Sequence, residues 1–149
     1  MNESIFTFAS ILAMVAWLTL VIALVAPASA TRERLLRFAG RQVPVVLCAL
    51  YAGVLYANWG AVPDGGFSDL TSVVALFSHP GNVLGGWIHF LAFDLLIGRG
   101  VIDHGLAQGY PRAVLFLVLP FIFLYGPVGL LAYFILAIIT QGMRARKQV

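Results

Sequence analysis

Two ionisable side chains, His89 and Asp94, lie in an apolar segment with few other polar residues. Asp94 and Arg99 are the only charged residues between Asp69 and Asp103. A carboxylate and an imidazole held in an apolar cavity can act as a general acid and a general base. We therefore predict that Asp94 is a proton donor or base and that His89 is its counterpart. His79, just before Pro80, is predicted as a third catalytic residue.

Each of these side chains also has a structural interpretation. Asp94 can form an ion pair with Arg99, although a spacing of five residues fits a helix poorly. His89 can be a buried histidine bonded to a backbone carbonyl, and Asn82 can cap a helix. At 100° per residue, His89 lies about 140° from Asp94 around a helix. Both therefore face inward only if other helices surround this segment.

A binding pocket is predicted around the same segment, and Trp87 fits either its wall or an interface anchor. The residues predicted to bind the substrate are Asn82, Trp87, Phe90, Phe93, Arg99, Tyr125 and Tyr133. Metal binding is another interpretation. His79, His89 and His104 with Asp94 are suitable ligand types, but no HxxH or HxxxH pair is present. The proposed chemistry requires no metal or other cofactor.

Composition places these residues in a membrane. Of 149 residues, 61% are hydrophobic and 10% are charged, whereas soluble domains have about 45–50% apolar and about 25% charged residues. Apolar runs at 5–25, 43–59, 82–97 and 113–140 are predicted spans, since a helix needs about 20 residues to cross the hydrocarbon core. We predict an all-α fold, a single domain over 1–149 built as a bundle of about four transmembrane helices. No nucleic-acid-binding surface is indicated.

The nine Lys and Arg residues define the predicted orientation. With the N-terminus outside, the two inner loops hold six of them and the tail places three outside, which the positive-inside rule prefers over the reverse. This count treats 113–140 as one tilted, kinked helix. A re-entrant break at Tyr125-Gly126-Pro127 would bring the tail inside instead. The arginines at 32–41 are interpreted as a topology signal, with binding of anionic lipid as the alternative.

A family resemblance follows from several short stretches. They are Trp87-Ile88-His89 with Asp94, Gly98-Arg99, Asp103-His104-Gly105 and Gly126-Pro127-Val128-Gly129. Together they resemble the abscisic-acid-deficient type family over about 75–133. The plant members of that family are linked to neoxanthin synthesis, in which an epoxide of violaxanthin opens to an allenic alcohol without net redox change. The resemblance implies a four-helix membrane protein that acts on a carotenoid.

The predicted function is thus an integral membrane enzyme for a carotenoid or related lipophilic isoprenoid, working by non-redox isomerisation or epoxide opening. The alternatives are a non-catalytic carotenoid- or lipid-binding protein and a small transporter subunit. Without a Ser- and Arg-rich plastid leader, a bacterial inner membrane is expected. The expected partners are the lipophilic substrate and membrane lipids. Gly85 and Gly86 would serve either a homo-oligomer or packing within one chain.

Overall fold

The protein is a bundle of helices, and the prediction of an all-α membrane fold is confirmed. The computed structural model describes the backbone of residues 1–146 and the side chains of residues 1–140, and regular structure in this part is helical throughout. The α-helices are α1 (Asn2–Val25), α2 (Ala30–Arg37), α3 (Val43–Ala57), α4 (Leu70–Leu76), α5 (Pro80–Ala107), α6 (Arg112–Tyr125) and α7 (Pro127–Arg146).

Three helical stretches are long and apolar enough to cross a bilayer: Asn2–Val25, Ala30–Ala57 and Pro80–Ala107. Large apolar side chains also point outward, with Leu18 exposed by 58%, Val45 by 62% and Leu117 by 65%. Soluble proteins rarely expose continuous apolar surface on such a scale. The outer surface of the bundle therefore faces lipid.

The second span begins earlier than the predicted 43–59. The basic segment is helical, and α2, a π-helical turn over Phe38–Gln42 and α3 follow one another without a loop. The π turn accounts for Pro44, whose ring would clash with the carbonyl four residues earlier in a regular α-helix. The hydrogen bond from the Val43 N–H reaches five residues back to the Phe38 carbonyl, as in a π-helix, and it directly precedes the proline.

The central helix is α5, which packs against α1, α3, α6 and α7. Glycines allow these close approaches. A Cβ atom on Gly98 would lie 2.6 Å from the Trp17 ring, and one on Gly105 would lie 2.4 Å from Leu115. Gly85 and Gly86 likewise face neighbours in the same chain, and a Cβ atom on Gly86 would lie 2.9 Å from the Phe77 ring. Packing within one chain is thus a role that both glycines fill.

Two capping side chains set the starts of α4 and α5. The Asp69 carboxylate begins α4 by accepting a bond from the Ser72 N–H at 2.9 Å. That bond holds the pKa of the Asp69 carboxyl below its usual value, because it favours the charged form. His79 begins α5 in the same manner, and Pro80 occupies the first turn, where proline costs little.

The last apolar run differs from the prediction of one kinked helix over 113–140. Tyr110, just before α6, donates its hydroxyl to the carbonyl of Ala137 in α7 at 3.4 Å. The ring centroids of Tyr110 and Tyr133 are 6.3 Å apart. The chain therefore returns to the level at which α6 began, and α7 runs antiparallel to α6. We call this pair the α6–α7 hairpin.

The hairpin turns at Gly126, as in the re-entrant alternative. Gly126 has a φ of +28°, which residues with a side chain rarely adopt, and Pro127 follows it. With 14 residues, α6 is about 21 Å long, too short for a hydrocarbon core of about 30 Å. The two ends of the hairpin therefore lie at the same end of the bundle. Of the tail charges counted above, Lys147 and the side chains of Arg144 and Arg146 lie outside the described residues.

The hairpin contact can be tested at Gly129, where a Cβ atom would lie 2.3 Å from the backbone nitrogen of Ile122. Backbone cannot move aside as a side-chain tip can, so Gly129→Ala should destabilise the protein by about 1–3 kcal/mol. We expect a lower Tm in thermal unfolding of the detergent-purified protein. Gly53→Ala is the control, because nothing lies within 4 Å of its added Cβ atom. Equal Tm values for the two variants would contradict the hairpin.

Candidate functional site

Asp94 is a buried carboxyl without a charged partner. Its side chain is 5% exposed, and within the described residues its Oδ2 atom has no hydrogen-bond partner. The carboxyl faces the hairpin turn, because a Cβ atom on Gly126 would lie 2.9 Å from Asp94 Oδ1. The suggested ion pair with Arg99 is wrong, since Arg99 Nε instead donates to Asp103 Oδ2 at 2.6 Å. Four residues suit a helical ion pair better than five.

Such a carboxyl is costly to bury. Insertion of an ionisable side chain at the centre of a bilayer costs about 2.5–3.5 kcal/mol, and residues of this kind mark functional sites by default. Among the side chains at positions 1–140, no arginine or lysine forms a salt bridge with the Asp94 carboxyl. Burial of Asp94 is thus more readily explained by a role in function than by a contribution to stability.

A second polar group lies on the same side of α5, near its end. The Nδ1 atom of His104 and the Tyr133 hydroxyl are hydrogen-bonded, and the Tyr110 ring stands edge-on to both side chains. Tyr133 is 3% exposed, so the hydroxyl is shielded within the bundle. One partner of this bond can donate a proton while the other accepts one.

Two series of residues with helical spacing form the contact between α5 and α7. Residues three and four apart lie on one face of a helix, and Asp94 and His104 belong to the same series. On α5 the series is Asp94, Ile97, Val101 and His104; opposite it lie Gly126, at the turn before α7, and Leu130 and Tyr133 on α7. Asp94 meets Gly126 at one end, and His104 meets Tyr133 towards the other.

An apolar cavity of about 300 Å³, open along one side and not enclosed, lies in this contact. It is lined by Ile97, Gly100, Val101, His104, Leu130, Tyr133 and Phe134. Phe134 is 52% exposed, so the cavity opens towards the lipid-facing surface. Apolar walls with a few converging polar groups are typical of small-molecule sites. We call this contact with its cavity the α5–α7 groove.

His89 lies elsewhere. Its ring is on the exposed side of α5, stacked on Phe93 with a centroid distance of 4.4 Å, and the Tyr51 ring is 5.6 Å away. Asp94 is buried on a different face, as the angular separation of these residues implies. The structure therefore places His89 and Asp94 on different faces of α5 and does not bring the predicted catalytic pair together.

His79 and Asn82 also lie far from Asp94. His79 Nδ1 accepts a hydrogen bond from the Gly81 N–H at 3.2 Å, and Asn82 Nδ2 donates to the Leu76 carbonyl at 2.8 Å. Both side chains thus organise the start of α5. His79 is 15 residues before Asp94, which corresponds to about 22 Å along the helix axis.

The predicted substrate-binding residues are dispersed. Trp87 donates its ring N–H to Ser10 Oγ at 3.0 Å, which ties α5 to α1. Phe90 packs beside Trp87 with a centroid distance of 6.0 Å. Phe93 and Tyr125 are exposed by 49% and 60%. Of the predicted set, Tyr133 is the residue that lines the cavity in the α5–α7 groove.

The suggested metal ligands do not converge. Among the residues that the structure describes, no group of three His, Cys, Asp or Glu side chains is arranged to hold a metal ion. His79 and His104 lie at opposite ends of α5, separated by 25 residues or about 37 Å.

Sequence reasoning missed His104 and Gly126 as parts of one site. The predicted third span ends at 97 and so excludes His104, whereas α5 continues to Ala107. Gly126 was read only as a break in a helix. The available signal was the spacing of Asp94 and His104, which places them on one face once α5 is extended by three turns.

The chain matches one known family. A family model described as ABA DEFICIENT 4-like matches residues 4–133. That range contains Asp94, His104, Gly126 and Tyr133, and so all the polar groups of the α5–α7 groove. No curated protein and no solved structure matches the chain.

If Asp94 has a functional role, its charge should add nothing to the free energy of unfolding. Asp94→Asn conserves the side-chain volume and removes a charge that has no partner, so we expect a Tm equal to or above that of the wild type. Thermal unfolding in detergent measures this, with the Gly129→Ala variant as a destabilised reference. A fall in Tm of several degrees would show that the Asp94 carboxylate holds the bundle together.

Proposed function

This chain belongs to the ABA DEFICIENT 4-like family, and we propose that it is a membrane enzyme that converts a carotenoid or related isoprenoid without net oxidation or reduction. The substrate class follows from the link of plant members of the family to neoxanthin synthesis. The observation that carries the proposal is the α5–α7 groove, where an apolar cavity is bordered by a hydrogen-bonded imidazole and phenol. Such a groove combines a binding surface for a hydrocarbon with groups that transfer protons.

The substrate would bind with one end group in the cavity. A volume of about 300 Å³ lies at the lower end of the range for ligand sites, so it suits one ring of a long isoprenoid and not the whole molecule. The remaining chain would extend along the outward-facing apolar surface beside Phe134. An oxygen on the ring would then lie near Tyr133 and His104.

The reaction needs one proton delivered to oxygen and one removed from carbon. In our proposal, the Tyr133 O–H protonates the epoxide oxygen as its bond to carbon opens. The phenolate, held by the Nδ1–H of His104, then removes a proton from a neighbouring chain carbon. Tyr133 ends in its starting form, and the product is an isomer of the substrate. No oxidant or reductant is consumed.

Asp94 is ten residues from His104 on the same helix, or about 15 Å along the axis. That separation is too long for both to act on one epoxide. We therefore assign Asp94 an electrostatic role in place of the proton transfer predicted from sequence. From its buried position at the hairpin turn, the carboxylate would act through its electric field, which would stabilise the positive charge that protonation of the epoxide spreads along the conjugated chain.

Orientation follows from the hairpin and the placement of charge. Arg112 donates to the Val25 carbonyl at 3.0 Å, which places the start of α6 beside the end of α1. Because α7 returns to that level, every arginine in residues 1–146 lies at one end of the bundle. Applying the positive-inside rule to this distribution, we propose that the N-terminus lies outside and the tail inside. Location in a bacterial inner membrane stays a prediction.

Tyr133→Phe tests the proton-transfer pair. It keeps the ring and removes the hydroxyl, and we expect turnover of a C40 epoxide to fall at least about 100-fold, the lower end of general acid–base contributions. Pigments from a carotenoid-producing host that expresses the protein would be separated and quantified. Tyr125→Phe is the matched control, because Tyr125 is 60% exposed and outside the groove. Unchanged turnover in Tyr133→Phe would refute the role of the phenol.

Asp94→Asn tests the electrostatic role in the same assay. We expect turnover to fall while pigment binding is retained, because the charge acts on the transition state. Asp64→Asn, in the exposed connection between α3 and α4, controls for loss of a carboxylate. Undiminished conversion would remove Asp94 from the reaction. If wild-type protein retains the pigment and never alters it, the protein is a carotenoid-binding protein and not an enzyme.

A further inference from the structure

A second cavity, of about 310 Å³, lies on the other side of α5. It is lined by Glu33, Arg37, Gly40, Arg41, Arg99 and Asp103. We call it the arginine cleft, and we propose that it binds a phosphate group at the inner surface of the membrane. This proposal does not depend on the enzymatic function proposed above.

The cleft is built around Arg99. A Cβ atom on Gly40 would lie 2.5–2.9 Å from the Cβ, Cγ and Cδ atoms of Arg99, so the stem of the arginine rests directly on the π-helical turn. Arg99 Nε donates to Asp103 at 2.6 Å, which fixes the plane of the guanidinium. A guanidinium carries five N–H donors, so its two terminal nitrogens retain four for another partner.

Arg37 and Arg41 complete the cleft from the other helix. Within the side chains that the structure describes, Arg99–Asp103 is the one salt bridge. Glu33 lines the cleft without pairing with Arg37 or Arg41. The cleft thus holds three arginines and two carboxylates, and one carboxylate is already bonded. Two arginines remain without a carboxylate partner around a cavity large enough for a phosphate.

The depth of the cleft indicates which phosphates can reach it. Arg99 is 19 residues from Pro80, or about 28 Å along α5, close to the thickness of the hydrocarbon core of about 30 Å. The cleft therefore lies at the level of lipid headgroups. Arginine matches phosphate oxygens with paired N–H groups. Both an anionic lipid headgroup and a soluble phosphate have this chemistry.

Binding can be measured by native mass spectrometry of the full-length protein in detergent. The probes are phosphatidylglycerol, phosphatidylcholine and inorganic phosphate. We expect phosphatidylglycerol to bind more tightly than phosphatidylcholine. The Arg37→Gln/Arg41→Gln double variant should bind about 25-fold more weakly, at about fivefold for each arginine. Arg34→Gln, an exposed arginine outside the cleft, should change binding little.

Gly40→Ala is a second variant that alters no charge. Its methyl group would displace the Arg99 stem, so binding should weaken although the net charge is unchanged. Binding of inorganic phosphate in place of lipid would identify a soluble anion as the ligand and would still support the site. Weakening of about fivefold by Arg34→Gln, as large for each charge removed as in the double variant, would overturn it in favour of general surface attraction. Failure of all three probes to bind would also overturn it.

Discussion

Inside a bilayer, the backbone can leave the helical conformation only where protein covers it, because lipid offers no hydrogen bonds. The turn at Gly126 meets this requirement by lying buried against α5. The turn determines how α6 and α7 are arranged against α5. The turn divides an apolar run into two short helices, brings α7 back alongside α5 and creates the α5–α7 groove. The buried carboxyl of Asp94 and the bonded pair of His104 and Tyr133 lie along the surface that results.

Helix α5 contributes residues to both candidate sites, the α5–α7 groove and the arginine cleft. The face of α5 with Asp94 and His104 meets α7, and the residues that alternate with them, Arg99 and Asp103, meet the π-helical turn. Glycines set the distance on each side, with Gly126 opposite Asp94 and Gly40 beneath Arg99. A change in the tilt of α5 would thus alter the groove and the arginine cleft together. The polar residues of α5 are held by the same packing that builds the core.

Hydropathy was sufficient for the fold class and for the existence of the spans, because length and apolar composition decide whether a helix can cross a bilayer. It could not identify which face of a span is buried, since lipid and protein interior are equally apolar. His89 illustrates this: the sequence allowed an inward position if other helices surrounded the span, and the ring lies on the exposed side. Asp94 was placed correctly in the interior because a charge has a strong preference that an aromatic ring lacks.

The ends of helices were harder to predict for a related reason. The predicted third span stops before the polar residues Arg99, Asp103 and His104. A helix can nevertheless continue with polar side chains beyond the apolar core, and α5 does so. The hairpin depended on tertiary contacts between Tyr110, Tyr133 and Ala137. Residues so far apart in sequence leave no local pattern. The proline and glycine at 126–127 permitted a turn without specifying its angle.

The groove opens sideways, past Phe134, and this has a kinetic consequence. A molecule that arrives by that route comes from the acyl chains and not from water, so occupancy depends on how many substrate molecules are present per lipid. Adding inert lipid would dilute the reaction at constant total substrate, whereas changing the buffer volume would not. For the proposed reaction, the bilayer is therefore the solvent in which kinetic constants have to be defined.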